Sequence, residues 1–239
     1  MSLPKRLPKE IADAQALEAS GIYYVPDEAN MRKGYAMIIG PQGTPYAFCP
    51  LFFLFTFPPD YPFSSPIVKF LTSDESTRFH PNLYVNGKVC LSILGTWSGP
   101  SWGAVMTIST VLSSIQSLLE PNPIVNEPGW EKYTLENERA RAYRDYVQHA
   151  LISHTIVRLS EFSRGHVPYE MEPFQDTIKS RLGEIVGGIS KIIEENVEKG
   201  EVEFPSVVYN MHGKTRWETL KGMCLAFGVC RFVKSHQVP

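Results

Sequence analysis

Short extended runs separated by turns occupy the first part of the chain, and they limit its fold more than any other feature. Apolar and aromatic residues fill positions 22–25, 35–39 and 51–57, and the turn-rich pieces Pro26-Asp27 and Gly40-Pro41-Gln42-Gly43 separate them. A proline-rich piece at 58–62 breaks the chain, and residues 67–71 can form a fourth run. Short runs joined by turns are typical of antiparallel neighbours. We therefore predict a four-stranded antiparallel meander.

Helical patterns flank these runs. A helix-favouring opening continues through residues 12–19 and stops at Ser20-Gly21. After the strands, apolar residues recur at helical spacing until Pro121 ends the pattern: Val105, Ile108, Val111, Leu112, Ile115, Leu118 and Leu119. Further helical stripes follow Trp130, within residues 143–154, 182–197 and 217–227. A helix, a meander and later helices predict an α+β fold.

Charge and cysteine content argue against several kinds of function. The net charge of −2 and the pI of about 6.3 give no field that attracts nucleic acid. No apolar run approaches the ~18 residues of a membrane span, and the basic start lacks a secretory core. The four cysteines show no metal-ligand spacing. We expect free thiols, no metal, and a cytoplasmic or nuclear location.

One loop stands out as a candidate site. Residues 73–102 show little periodicity and contain several Gly, Pro and Asn residues. A loop of roughly thirty residues inside a compact domain is uncommon and tends to be functional. Cys90 lies within it. A lone cysteine is more often a buried apolar residue, so its surroundings must decide its role.

The surroundings of Cys90 follow a specific pattern. His80-Pro81-Asn82 precedes Cys90, which stands eight residues after Asn82 in a C-L-x-I-L context. This segment resembles the active-site signature of ubiquitin-conjugating enzymes. Other family landmarks agree in order and spacing: Gly40-Pro41 with Thr44-Pro45-Tyr46, the piece 57–66, Trp102, and Pro121-Asn122-Pro123. The resemblance covers about residues 2–130 and implies the UBC fold.

Within that family the chain looks like the Z type, which has a Leu-Gly-Thr-Trp insertion and a long helical C-terminal extension. Residues 94–97 supply the insertion. We expect a catalytic core over residues 1–130 and a helical extension over 131–239 that packs on it. The extension's apolar stripes must bury against something, and they either shape partner choice or only enlarge the core.

The resemblance implies an acyl-transfer reaction. Cys90 would receive ubiquitin or a ubiquitin-like protein as a thioester from an activating enzyme and pass it to a substrate lysine, usually with a ligase. Asn82 would support the loop or bind the oxyanion. No cofactor is expected, because the activating enzyme consumes the ATP. Transthiolation needs no strong base, and His80 is predicted to be a structural hydrogen-bonding residue.

Three residues align with docking positions of the family. Lys5 and Arg6 match basic residues of the first helix that bind the activating enzyme, with an ordinary solvated helix end as the alternative. Phe63 matches an aromatic residue that many relatives present to ligases, with simple loop packing as the alternative.

The chain departs from the family where the incoming lysine is activated. Ser92 replaces one usual acid, Ile124 and Val125 occupy the stretch of another, and Phe48-Cys49 replaces a usual Gly-Gly. The amine must still lose its proton. Glu127 is our preferred acceptor, and its alternative role is to cap the Asn-Glu-Pro turn. Other candidates are Glu120 and the polar pair of Tyr84 and Asn126.

Two other functions compete with this interpretation. An inactive variant would hold ubiquitin or a partner as a binding scaffold, but such variants typically lack the cysteine. A cysteine hydrolase would need a histidine base beside Cys90. The sequence forces no histidine there.

Overall fold

The computed structural model describes residues 3–226, with side chains from Arg6 onward. Helix α1 spans Leu3–Gln15 and tightens into a 3₁₀ turn at Ala16–Ser20. Gly21 ends this helical segment with a φ of 75°, and its N–H bonds back to the carbonyls of Leu17 and Glu18. A left-handed glycine is the usual residue after a helix. The predicted N-terminal helix and its stop are confirmed.

Four antiparallel strands follow in sequential order: β1 (Ile22–Pro26), β2 (Lys33–Ile39), β3 (Pro50–Thr56) and β4 (Ile67–Phe70). Strand β2 pairs Tyr35 with Val25 on one side and with Leu54 on the other. The predicted meander is confirmed, with each boundary within about two residues, the usual scatter of strand ends.

Strand β3 is apolar on both faces, and the fold uses both. Leu51, Phe53 and Phe55 alternate along it and are fully buried, as expected for side chains that share one face. Phe52 points to the opposite face, where a sheet of this kind can stay solvated. It is nevertheless only 3% exposed, because its ring lies 5.9 Å from that of Phe174 in the C-terminal extension.

Helix α2 (Ile108–Leu118) follows the long loop. Its start is fixed by a capping box, in which the Thr107 side chain accepts from the Thr110 N–H and Thr110 bonds back to Thr107. Val105 therefore lies before the helix and is 89% exposed. The prediction that placed Val105 in the helical stripe is wrong, because Thr107 caps the helix and the first helical residue is Ile108.

The extension contains α3 (Glu138–Ser163), α4 (Gln175–Val197) and α5 (Trp217–Ala226), as the apolar stripes predicted. It also contains a hairpin of β5 (Glu201–Val207) and β6 (Met211–Arg216). The extension is therefore helical as predicted, and the hairpin is an addition that the apolar stripes did not indicate. The alternation of Val202 and Phe204 could have indicated a strand, but the register shift before Val207 interrupts it. Phe227 and Cys230 lie outside the described residues.

The extension packs against the sheet through several contacts. The Tyr35 and Tyr169 hydroxyls are 3.1 Å apart, and buried side chains of α3 and α4 join those of the sheet in one hydrophobic cluster. The boundary at residue 130 stays a prediction. Among residues 3–226, none of the helices combines the length and apolarity that crossing a membrane requires.

Candidate active site

Cys90 lies in the loop between β4 and α2, outside any strand. Both of its backbone polar groups pair with Asn82. The Cys90 N–H donates to the Asn82 carbonyl, and the Asn82 side-chain Nδ2 donates to the Cys90 carbonyl, each at 2.8 Å. Asn82 is buried, so these bonds are shielded from water. The geometry matches loop support, and a role of Asn82 in oxyanion binding stays a prediction.

His80 orients Asn82. Its Nδ1 accepts from the Asn82 N–H at 2.9 Å, so Nε2 carries the proton and donates to the Leu118 carbonyl at 2.9 Å. Burial lowers the pKa of His80 to about 3, which keeps the ring neutral. With both nitrogens occupied, His80 is a structural link between the loop and the end of α2. It cannot act as a general base.

Thr96, in the Leu-Gly-Thr-Trp insertion, holds the chain on both sides of Cys90. Its hydroxyl donates to the Val89 carbonyl at 2.7 Å and accepts from the Leu91 N–H at 3.0 Å. Gly95, with a φ of 70°, turns the chain back so that the Thr96 hydroxyl lies beside Val89 and Leu91. Sequence reasoning did not single out Thr96. Its position in the insertion was the signal available.

The Cys90 residue as a whole is 1% exposed. A thiol at this depth can meet a carbonyl carbon only after neighbouring side chains move. Within residues 6–226 no hydrogen bond joins the Cys90 thiol to a histidine. The geometry therefore lacks the base that a cysteine hydrolase requires.

The acids considered for amine activation are engaged with other side chains. Glu127 Oε2 accepts from the Tyr209 hydroxyl at 2.5 Å, and Glu120 Oε1 accepts from Asn126 Nδ2 at 2.7 Å. Gly129, in the turn after Asn126, donates instead to Glu131. The Glu127 backbone carbonyl accepts from the Trp130 N–H at 2.9 Å, while its side chain bonds to Tyr209, so a turn-capping role of Glu127 stays a prediction. Tyr209 belongs to the extension, so the sequence around Cys90 held no sign of it.

The docking candidates differ in how free they are. The Arg6 guanidinium pairs with Glu10 and donates to the carbonyls of Ala104 and Met106 at 2.5 and 2.6 Å. Arg6 is thus bonded to the core. The alternative that it belongs to an ordinary solvated helix end is wrong. The Lys5 side chain lies outside the described residues.

Phe63 lies on the loop between β3 and β4 and is 75% exposed. Simple loop packing is therefore the wrong alternative for Phe63. Trp102 donates from Nε1 to the carbonyl of Pro62 at 2.7 Å, which joins this loop to the chain just before α2. The exposed Val105 follows Trp102 by three residues. Phe63 thus stands on a fixed loop and is open to a partner.

The helix, the four-stranded meander, the cysteine loop and the following helices define the ubiquitin-conjugating class of fold. Comparison with known proteins agrees with this class. The model of the family described as ubiquitin-conjugating enzyme matches residues 6–150. This chain belongs to the ubiquitin-conjugating enzyme family.

Among its relatives are proteins named ubiquitin-conjugating enzyme E2 Z. The Homo sapiens protein is 43% identical over 157 residues, which cover 65% of this chain and 44% of that protein. The Danio rerio protein is 46% identical over 145 residues, covering 60% and 44%. A probable ubiquitin-conjugating enzyme of Caenorhabditis elegans is 39% identical over 190 residues, covering 74% and 25%. The chain spans about half the length of the E2 Z relatives it matches.

Among solved structures, the E2 domain of a Toxoplasma gondii ubiquitin conjugating enzyme aligns with a TM-score of 0.49 and 30% identity. The alignment covers 64% of this chain and 97% of that one.

Proposed function

We propose that this chain receives ubiquitin or a ubiquitin-like protein as a thioester on Cys90 and transfers it to a lysine of a protein substrate. The observation that supports this most is the double pairing of Cys90 with Asn82, within the sequence signature of the family. That pairing fixes the backbone of the candidate nucleophile, and thioester exchange needs no strong base beside it.

Charging is an exchange between two thioesters. The Cys90 thiolate attacks the carbonyl carbon that an activating enzyme presents, a new C–S bond forms, and the thiolate of the activating enzyme leaves. Because Cys90 is covered, we expect the docked activating enzyme or the modifier's tail to displace a neighbouring side chain. The chain itself needs no cofactor in this step, since ATP is consumed by the activating enzyme.

Transfer to lysine makes a different demand. As the amine nitrogen attacks the thioester carbon, it becomes positively charged and must lose a proton, while the C–S bond electrons return to Cys90. His80 is neutral and doubly bonded, so it is not the acceptor. We assign that role to Glu127. Asn82 Oδ1 is buried without a partner among the described residues, and it can accept an N–H of the incoming amine.

Two partner contacts complete the proposal. The exposed Phe63 is assigned to a ligase, and Lys5 with the first helix to the activating enzyme. Phe63→Ala should leave the fold and charging unchanged, because the ring is mostly in solvent. It should slow ligase-stimulated discharge. Equal ligase stimulation of Phe63→Ala and the parent would remove Phe63 from the proposal.

The decisive experiment is incubation with activating enzyme, ATP and ubiquitin, followed by a non-reducing gel. The parent should form an adduct that reductant removes. Cys90→Ala should form none, and Cys90→Ser should form a reductant-stable ester. Cys49→Ala is the matched control, because Cys49 is buried and burial raises the pKa of its thiol to about 12. Loss of charging in Cys49→Ala with retention in Cys90→Ala would overturn the assignment. A folded parent that binds ubiquitin but forms no adduct with any activating enzyme would favour the scaffold instead.

A further inference from the structure

The Arg78 guanidinium lies between two tyrosine rings from distant parts of the chain. Its Cζ is 3.7 Å from the ring centroid of Tyr84 and 4.1 Å from that of Tyr209. Tyr84 belongs to the cysteine loop, and Tyr209 lies at the tip of the β5–β6 hairpin. A guanidinium stacks favourably on aromatic faces. The hairpin tip therefore packs against the cysteine loop.

The backbone of Arg78 is held by the same extension. Its N–H donates to the sulfur of Met211 at 3.3 Å, and its carbonyl accepts from the Tyr143 hydroxyl at 2.9 Å. Arg78 also donates from its guanidinium to the carbonyl of Pro81, next to Asn82. The extension thus contacts the segment that precedes Asn82.

The Tyr209 hydroxyl makes the contact with the proposed proton acceptor. It donates to Glu127 Oε2 at 2.5 Å, and within residues 6–226 no hydrogen bond occupies Oε1. Burial, and secondarily this hydrogen bond, raise the pKa of Tyr209, so the hydroxyl stays protonated as a donor. One carboxylate oxygen is thus fixed, and the other is available.

The backbone of Tyr209 adds a second, independent observation. Its φ and ψ are 68° and 27°, and Asn210 follows with a φ of 57°. Hairpin turns with two such residues usually use Asn, Asp or Gly, because a bulky side chain is disfavoured there. An aromatic residue in this conformation persists only where its surroundings hold it, and such residues gather at functional sites.

We propose that Tyr209 is a positioning residue for the transfer step. Its hydroxyl holds Glu127 Oε2 so that Oε1 takes the proton from the attacking lysine nitrogen. The neutral amine nitrogen attacks the thioester carbon, the C–N bond forms, and the nitrogen, now positively charged, gives its proton to Oε1. The C–S bond breaks, its electron pair returns to Cys90, and Glu127 releases the proton to water. The proposal rests on the proposed function. It makes the hairpin of the extension a part of the transfer site.

The test measures discharge of the Cys90 thioester to free lysine, with charging measured separately. Tyr209→Phe keeps the ring on Arg78 and removes only the hydroxyl. It should charge like the parent and discharge about tenfold more slowly, the usual cost of losing a hydrogen bond to a charged group. Glu127→Gln should discharge about a hundredfold more slowly. In the Glu127→Gln background, Tyr209→Phe should change the discharge rate by less than about twofold.

Tyr146→Phe is the matched control. Its hydroxyl donates to the His212 carbonyl in the same hairpin at 3.1 Å, away from Glu127. Tyr146→Phe should discharge like the parent. Equal slowing of discharge by Tyr146→Phe and Tyr209→Phe would show that the Tyr209 hydroxyl only stabilises the hairpin, and this would overturn the proposal. The proposal would also be overturned if Glu127→Gln or Tyr209→Phe discharged the Cys90 thioester at the parental rate. Failure of the parent to charge at all would instead overturn the proposed function.

Discussion

The ring of Phe48 occupies the space that a side chain at Gly188 would fill. A Cβ placed on Gly188 would lie 2.3 Å from the Phe48 Cγ, well inside van der Waals contact. Phe48 follows the second turn of the core with a φ of 64°, and Gly188 is in the middle of α4. The Phe48-Cys49 departure from the family pattern is therefore a docking contact for the extension.

This contact predicts opposite effects at two neighbouring glycines. Gly188→Ala must displace the Phe48 ring and should destabilise the protein by about 1–2 kcal/mol, because overpacking outweighs the helix-propensity gain. Gly187→Ala meets no atom within 4 Å and should stabilise α4 by up to about 1 kcal/mol. Urea unfolding of both variants measures the difference. Equal stabilities would mean that Phe48 moves aside freely.

Thr96 should matter for charging more than for stability. Thr96→Val keeps the shape of the side chain but loses the hydroxyl bonds to Val89 and Leu91, so the backbone beside Cys90 loosens. We expect single-turnover charging to slow about tenfold. Thr96→Ser retains the hydroxyl and should charge nearly like the parent. If Thr96→Val charges at the parental rate, the bonds of Asn82 alone are enough to hold the loop.

His80 should make the fold sensitive to acid. The unfolded chain binds a proton near its ordinary pKa of about 6.5, whereas burial lowers the pKa of the folded His80 to about 3. The contribution of His80 to the free energy of unfolding is therefore complete above about pH 7. It is lost progressively as the pH falls from about 6.5 to about 3. The loss from His80 between about pH 8 and pH 5 is about 2 kcal/mol. His154, whose pKa burial lowers to about 4, acts in the same direction.

Urea unfolding at the two pH values measures this loss, and His80→Asn provides the comparison. The variant should be less stable at neutral pH, because the bond to Leu118 is lost. Its stability should fall less on acidification, by about the 2 kcal/mol that His80 contributes. An unchanged pH dependence would show that the pKa of His80 is the same in the folded and the unfolded chain.

Arg6 should behave as a stability residue. Glu10 is 3% exposed and also accepts from the Tyr61 hydroxyl and from the Ile108 N–H at the start of α2. Arg6→Ala leaves this buried carboxylate without its cation and should cost about 3 kcal/mol. Lys5→Ala should slow charging by the activating enzyme. Parental stability of Arg6→Ala would contradict the first assignment, and parental charging of Lys5→Ala would contradict the second.

The sequence by itself determined the strand order, the first helix and the loop that carries Cys90. These features depend on local properties: short apolar runs, the turn residues between them, and the spacing between Asn82 and Cys90. The extension's helices were also readable, because their apolar stripes repeat at the helical period. The hairpin was missed, since its polar residues obscured a short alternation.

Only the tertiary structure decided how these pieces meet. Glu127 and Tyr209 are 82 residues apart in the sequence, and Arg6 is 98 residues from the carbonyl it binds at Ala104. No local pattern specifies such pairs, because they depend on how whole helices and strands pack. The same packing turned Phe48 from an unexplained departure into a contact with Gly188. Sequence placed the candidate nucleophile and the nearby Asn82 that holds its backbone, and long-range packing brought Tyr209 to Glu127.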